Sequence, residues 1–168
     1  ATPPPYPYPI DRDLAARGAP LYAEYCAACH GASGSDFKGE KVGHVTPIAA
    51  IGTDRARLDS YTRDLAVNQA TLYAGYPHRF QHFRKTWGYA NMPLDGIWLR
   101  SPYLHNGSVP TLRDLLEPSS SRPSKFARGS DVFDPLRVGF ASALRADPNT
   151  AATTGLFEFD TTKPGNGN

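Results

Sequence analysis

The chain holds two cysteines, and a histidine follows the second directly: Cys26-Ala27-Ala28-Cys29-His30. A Cys-x-x-Cys pair can serve as a redox disulfide or as half of a zinc site. A zinc site needs further ligands, and the sequence offers no second cysteine pair. A thioredoxin-like site needs a βαβ context, which is not visible around these residues. With histidine next in line, the spacing reads as c-type haem attachment. Two thioethers would anchor one edge of the macrocycle, and the following imidazole would reach beneath the ring to the iron. The expected cofactor is therefore one covalent haem c, held by Cys26 and Cys29, with His30 as the proximal ligand.

The other axial position then decides what the iron does. Met92 is the one methionine of the chain and sits on a proline-fixed loop, Asn91-Met92-Pro93-Leu94. Its soft thioether makes it the favoured distal ligand; the plainer reading is a flexible filler of the core. The other histidines are His44, His78, His82 and His105. His105 comes first among them for a bis-histidine iron, although a structural hydrogen bond is favoured over ligation for it. An open or water-bound iron is the third arrangement.

A haem also brings two carboxylates, which need donors when held near an apolar ring. Residues 65–94 contain no acid, and within them His78-Arg79-Phe80-Gln81-His82-Phe83-Arg84-Lys85-Thr86-Trp87 mixes bases with aromatics. Arg79, Arg84, Lys85 and Trp87 are the candidate propionate partners. The same run could dock an acidic partner, or be a solvated loop whose aromatics pack on the ring. Aromatic interleaving also suits single-stranded nucleic acid, but a formal net charge of +2 argues against that class.

These residues need elements to carry them. Residues 11–29 read as a helix, with Asp11 and Asp13 at its positive end and Leu14, Leu21, Tyr22 and Tyr25 on an apolar stripe. An interruption is expected at Gly18-Ala19-Pro20, and Gly31 suits a left-handed exit. Residues 31–52 read as loop, punctuated by Gly31, Gly34, Gly39, Gly43 and Pro47. A second helix is expected from the Thr53-Asp54 cap to about residue 73, with Leu58, Tyr61, Leu65 and Leu72 inward. A short third helix should run from Thr111 to Leu116 and stop before Pro118. Beyond it, Pro123, Gly129, Pro135, Gly139 and Pro148 break the pattern into loops, with Leu156-Phe157-Glu158-Phe159 as a short strand-like piece.

Length and composition set the outer bounds. The chain has 168 residues, 40% hydrophobic and 20% charged, with 15 glycines and 16 prolines. That is one ordinary domain with long loops. No apolar run approaches the length that spans a bilayer. The opening Ala1-Thr2-Pro3-Pro4-Pro5 is expected to be a processed start, as left after removal of a signal peptide. Residues 1–10 favour polyproline II, as an extended tail or as an arm laid on a partner or on its own domain.

The segment from Tyr89 to Leu116 carries Gly96-Ile97-Trp98-Leu99-Arg100-Ser101-Pro102-Tyr103-Leu104-His105-Asn106-Gly107-Ser108-Val109-Pro110-Thr111-Leu112. It resembles the C-terminal segment of bacterial di-haem cytochromes. That group includes the cytochrome c peroxidase and MauG-like proteins and, more closely, the rubber-oxygenase-type cytochromes. Arg122-Pro123, Phe126, Gly129, Phe133-Asp134-Pro135, Val138-Gly139-Phe140 and Phe159-Asp160-Thr161 continue the likeness, as do Val45-Thr46-Pro47 and the stretch from Ile51 to Asp59. The resemblance implies a haem-pocket wall from Pro102, Tyr103 and His105-Asn106-Gly107. Three departures matter. The relatives carry two haems, whereas this chain has one attachment motif. The rubber-oxygenase-type pattern has arginine before Pro-Leu, where this chain has Met92. In that pattern a histidine after the final Gly-Asn stretch can serve as distal ligand; Asn168 stands just short of it.

These readings predict a mostly α, cytochrome c-like single domain with short helices and long loops around one covalent haem. The expected organisation is an arm over 1–10, a haem domain over 11–117 and a loop-rich extension over 118–168. The expected function is one-electron transfer to or from a redox partner protein, in the periplasm or outside the cell, more an electron carrier than an enzyme. The alternatives are a peroxidase-like or oxygenase-like haem enzyme with an open distal site, or a cytochrome subunit of a larger oxidoreductase complex. Neither nucleic acid nor a membrane span is expected.

Overall fold

In the computed structural model, the description covers residues 3–33, 36–79, 81–143 and 156–167. Gly34, Phe80, Pro148 and Asn168, named above, lie outside it. Helix α1 (Arg12–Tyr25) starts where the Asp11 carboxylate accepts the Leu14 N–H at 2.8 Å, leaving Asp13 in the first turn. It runs through Pro20 without the interruption expected there. The break falls at Cys26, whose φ of −123° separates α1 from the single turn α2 (Ala27–His30). The second expected helix is split. After α3 (Ile48–Ile51) come α4 (Ala56–Asp59) and α5 (Arg63–Leu72). Thr62 interrupts the run because its hydroxyl accepts the Leu65 N–H and so opens a new helix. Helix α6 (Leu112–Leu116) begins after Thr111, whose hydroxyl accepts the Asp114 N–H at 3.2 Å.

The expectation of a mostly α fold is overturned. Helix accounts for 31% of the described residues, and strands and bridges for 14%. The strands form three two-stranded antiparallel sheets. β1 (Val45–Pro47) pairs with β2 (Gly88–Ala90), β3 (Lys125–Arg128) with β6 (Phe157–Asp160), and β4 (Phe133–Asp134) with β5 (Gly139–Phe140). All helices but α1 run to ten residues or fewer. The strands are two to four residues long, too short for alternation to show in sequence.

The buried residues concentrate in the C-terminal half. Tyr103 and Val109 exchange backbone hydrogen bonds, and both are essentially excluded from solvent. Phe126 faces Phe159 across the β3–β6 pair, with ring centroids 5.2 Å apart. Asp114 is buried but paired: it accepts from the Thr111 hydroxyl and from Arg137. Lys125 ties the same sheet through Glu158 at 3.0 Å and Asp160 at 3.5 Å.

The proline-rich segment lies on its own chain. The Tyr6 hydroxyl donates to the Pro135 carbonyl at 2.9 Å, Trp98 Nε1 donates to the Pro4 carbonyl, and Tyr8 stacks on Phe133 at 5.6 Å. At the other end, Asn106 Nδ2 donates to the Gly167 carbonyl and the Gly165 N–H donates to Asp54 Oδ2. No helix among the described residues is long and apolar enough to cross a membrane.

Candidate haem-attachment site

Cys26, Cys29 and His30 sit on one helical turn. The Cys29 and His30 amides both donate to the Cys26 carbonyl, at 3.1 and 3.0 Å. Residues three and four apart on a helix share a face, so both sulfurs and the imidazole are presented from one side. The cysteines are free thiols and half-buried. The chain leaves the turn at Gly31, whose φ is +82°. A Cβ there would collide with the Asp36 carbonyl oxygen, so glycine is required by both conformation and space. The Asp36 carboxylate then closes the exit loop by accepting the Ala32 and Lys38 amides, at 3.0 and 2.8 Å. Those two bonds hold its carboxyl below the ordinary range of an aspartate. The Tyr22 hydroxyl locks the same loop by donating to the Gly31 carbonyl at 2.8 Å.

The His30 ring is oriented from behind. Its Nδ1 lies 2.7 Å from the Met92 carbonyl oxygen. A carbonyl only accepts, so Nδ1 carries a proton, and in the neutral form of the ring that leaves the lone pair at Nε2. A ligating histidine is normally fixed in this manner through its other nitrogen. The donor set also fits the group: two thiols on one face, one imidazole in the metal-binding tautomer, and an apolar helix beside them. Leu14, Leu21 and Tyr25 of α1 are 56%, 58% and 73% exposed, and α1 buries no residue. Among the described residues no cluster of three or more His, Cys, Asp or Glu could hold a bare metal ion, which leaves the zinc alternative without ligands.

The same contact gives Met92 a backbone role beside the thioether ligation expected of it: its carbonyl accepts from the side of the imidazole opposite Nε2. Its side chain is half exposed. The β1–β2 pair brings it into place: Gly43 N donates to the Asn91 carbonyl at 2.7 Å and Asn91 N donates to the His44 carbonyl at 2.9 Å. At Gly88 the strands approach so closely that a Cβ would overlap the Thr46 carbonyl.

The His105 Nε2 meets the Asp54 carbonyl at 2.9 Å and its ring stacks on Tyr89 at 4.4 Å. The other residues expected in the pocket wall have partners of their own. Tyr103 is 3% exposed, its hydroxyl donates to the Val138 carbonyl, and burial pushes its pKa up to about 12. It is a core residue of the C-terminal half. Pro102 lines a separate cavity of about 200 Å³ with Phe126, Arg128 and Phe157. Gly107 lies between Pro102 and the Arg128 guanidinium, which moves that part of the motif into the C-terminal packing.

The basic segment divides as well. Arg79 is exposed and donates to the Ala74 carbonyl at 3.3 Å. Trp87 is 61% exposed, with Lys85 Nζ 4.7 Å from its ring centre. Arg84 and Lys85 line a cavity of about 410 Å³ together with Arg57, Ser60, Tyr61 and Tyr89. Arg57, Ser60 and Tyr89 were not singled out from sequence. The only available signal was that Tyr89 opens the family-like segment.

A family model described as RoxA-like, cytochrome c-like, matches residues 88–127. The chain is 30% identical over 211 residues to the uncharacterized protein y4iJ of Sinorhizobium fredii, an alignment covering 95% of this chain and 34% of that protein. It is 34% identical over 172 residues to the uncharacterized protein y4iM of the same organism, covering 91% and 38%. The chain thus spans about a third of the length of the curated relatives it matches. The matched family segment does not include Cys26 to His30. The motif and the family likeness are therefore two separate signals of one chemistry. The resemblance to RoxA-type haem domains stands, and with it a cytochrome c-like, haem-binding character.

Proposed function

We propose that the chain is a mono-haem c-type cytochrome, working in the periplasm or outside the cell, that passes single electrons to or from a redox partner protein. The observation that carries this reading is the Met92 carbonyl 2.7 Å from His30 Nδ1, with Cys26 and Cys29 on the same helical turn. Haem c would supply a one-electron iron couple. Cys26 and Cys29 would tether it, His30 Nε2 would face the iron, and the Met92 carbonyl would keep the imidazole aligned and raise its basicity. Arg84, Lys85 and the Trp87 indole belong to the surface on which the propionate edge and a partner would meet the chain. The apolar stripe of α1 would cover one face of the ring and keep water from it.

A second reading, a haem enzyme with an open distal position, is favoured by one specific observation. The Met92 carbonyl is taken up by His30 Nδ1 and His105 Nε2 by the Asp54 carbonyl, which favours an iron without a sixth ligand from this chain. The optical spectrum of the oxidised holoprotein separates the two, together with steady-state turnover of hydrogen peroxide. The electron-carrier reading expects a low-spin ferric spectrum, background peroxide turnover and fast one-electron exchange on rapid mixing with a redox partner. A high-spin spectrum with substantial turnover would replace it by the enzyme reading.

A further inference from the structure

The cavity of about 410 Å³ between α4, α5 and the segment 83–89 has an unusual lining. Arg57, Arg84 and Lys85 all border it, and none of them forms an ion pair among the described residues. Leu58, Tyr61, Leu65 and Phe83 border the same space, so three unpaired cations share it with four apolar or aromatic groups. The hydroxyl of Tyr89, another lining residue, is buried without a hydrogen-bond partner. A buried hydroxyl left unmatched costs about 1–3 kcal/mol, which argues for an acceptor that this chain does not itself provide.

Several polar groups around the cavity are already engaged. Asp59 is held by Arg55 at 2.8 Å. The Asp54 carboxylate accepts from the Ala56 and Gly165 amides. His105 donates to the Asp54 carbonyl, and Tyr61 donates to Gln69. The uncommitted groups are thus cationic or donors, and an amphipathic anion would match them: carboxylates for the cations, an apolar body for the rest. Tyr89 lies three residues before Met92, at most roughly 10 Å of extended chain, so the cavity is within reach of a ring anchored over His30.

We propose that Arg57 and Tyr89, with Arg84 and Lys85, form the cradle for the haem propionates, and that His105 is the positioning residue that holds the Tyr89 ring in it. This rests on the haem reading above. It adds Arg57 and Tyr89 to the expected partners and removes Arg79 and Trp87 from the direct contacts. Cations and a hydroxyl donor stabilise an ionised carboxylate, so they hold a propionate pKa low. Protonating a propionate removes negative charge beside the iron and raises its potential. Weakening the cradle should therefore move that rise to higher pH.

The test is the midpoint potential of the holoprotein as a function of pH, for the parent chain, Arg57→Gln and Tyr89→Phe, each with covalent haem verified by intact mass. The Phe variant keeps the ring and the stacking on His105, so it reads the hydroxyl alone. The acid-side inflection should shift upward in Arg57→Gln and, by less, in Tyr89→Phe. His105→Ala should reproduce the Tyr89→Phe shift without adding to it in the double variant. If Arg57→Gln does not accumulate, Lys85→Gln reads the same cradle from its rim. Variants that retain haem with an unmoved inflection overturn the cradle and leave the haem reading intact. A parent chain without haem removes both.

Discussion

Helix α1 buries none of its 14 residues. Within residues 103–111, by contrast, Tyr103, Ser108, Val109 and Thr111 are all at or below 3% exposure. The difference separates two ways of completing a fold. The C-terminal half closes on itself: two aromatic rings meet across β3–β6, a buried carboxylate is paired, and Gly165 and Gly167 tie the chain's end back to Asp54 and Asn106. Around the attachment motif the chain is held by hydrogen bonds of its own backbone and a few side chains, while the apolar groups of α1 face outward. Such a half is stabilised most by a large group fixed to it, and Cys26 and Cys29 are where that group would be fixed.

The comparison is broken most severely at the cysteines. Cys26→Ser with Cys29→Ser should abolish covalent haem outright and reduce amide-exchange protection of α1 at least about tenfold, equivalent to about 1.4 kcal/mol. The Val109 and Ala127 amides should keep theirs. Equal loss in both halves would show that they do not differ as described.

Phe126→Ala acts on the other half. Removing a side chain 2% exposed that packs against Phe159 should cost about 3–5 kcal/mol in denaturant unfolding, with the attachment motif untouched. A cost under about 1 kcal/mol would mean that this sheet is not the core.

Asp36 sharpens the comparison through pH. Its folded carboxyl titrates below its ordinary value, first because the Ala32 amide donates to it and then because the Lys38 amide does. A depressed folded value contributes stability above the unfolded pKa, and that contribution is lost as pH falls through the folded one. Acidification below about pH 4 should therefore loosen the 31–38 loop, and Asp36→Asn should remove that pH dependence. Exchange rates of the Ala32 and Lys38 amides measure it.

The smallest effect is expected at Met92. Met92→Leu keeps the carbonyl that holds His30 and changes only a half-exposed side chain, so the ferric spectrum should stay as in the parent and stability should move by less than about 0.5 kcal/mol. Loss of a low-spin spectrum would place the thioether on the iron.

The attachment chemistry was legible because it is local. Cys26, Cys29 and His30 need only one helical turn, and the Asp11 and Thr111 caps follow from residue type alone. The bond from His30 to the Met92 carbonyl was not legible, because every residue has a carbonyl. The strands escaped notice for a related reason. Lys125–Arg128 finds its partner in Phe157–Asp160, and a pairing that distant leaves no mark in a short window. Likewise the three cations of the cavity come from residues 57 and 84–85, which only the β1–β2 pairing and the α4–α5 corner bring together.

The central claim is that Cys26-Ala27-Ala28-Cys29-His30 carries one covalent haem. Intact mass of the chain, matured with a c-type haem-attachment system and extracted in denaturing acid, tests it most directly. The account predicts a mass above the bare polypeptide by one haem, and by none in the double serine variant. A parent chain at the bare polypeptide mass would contradict it.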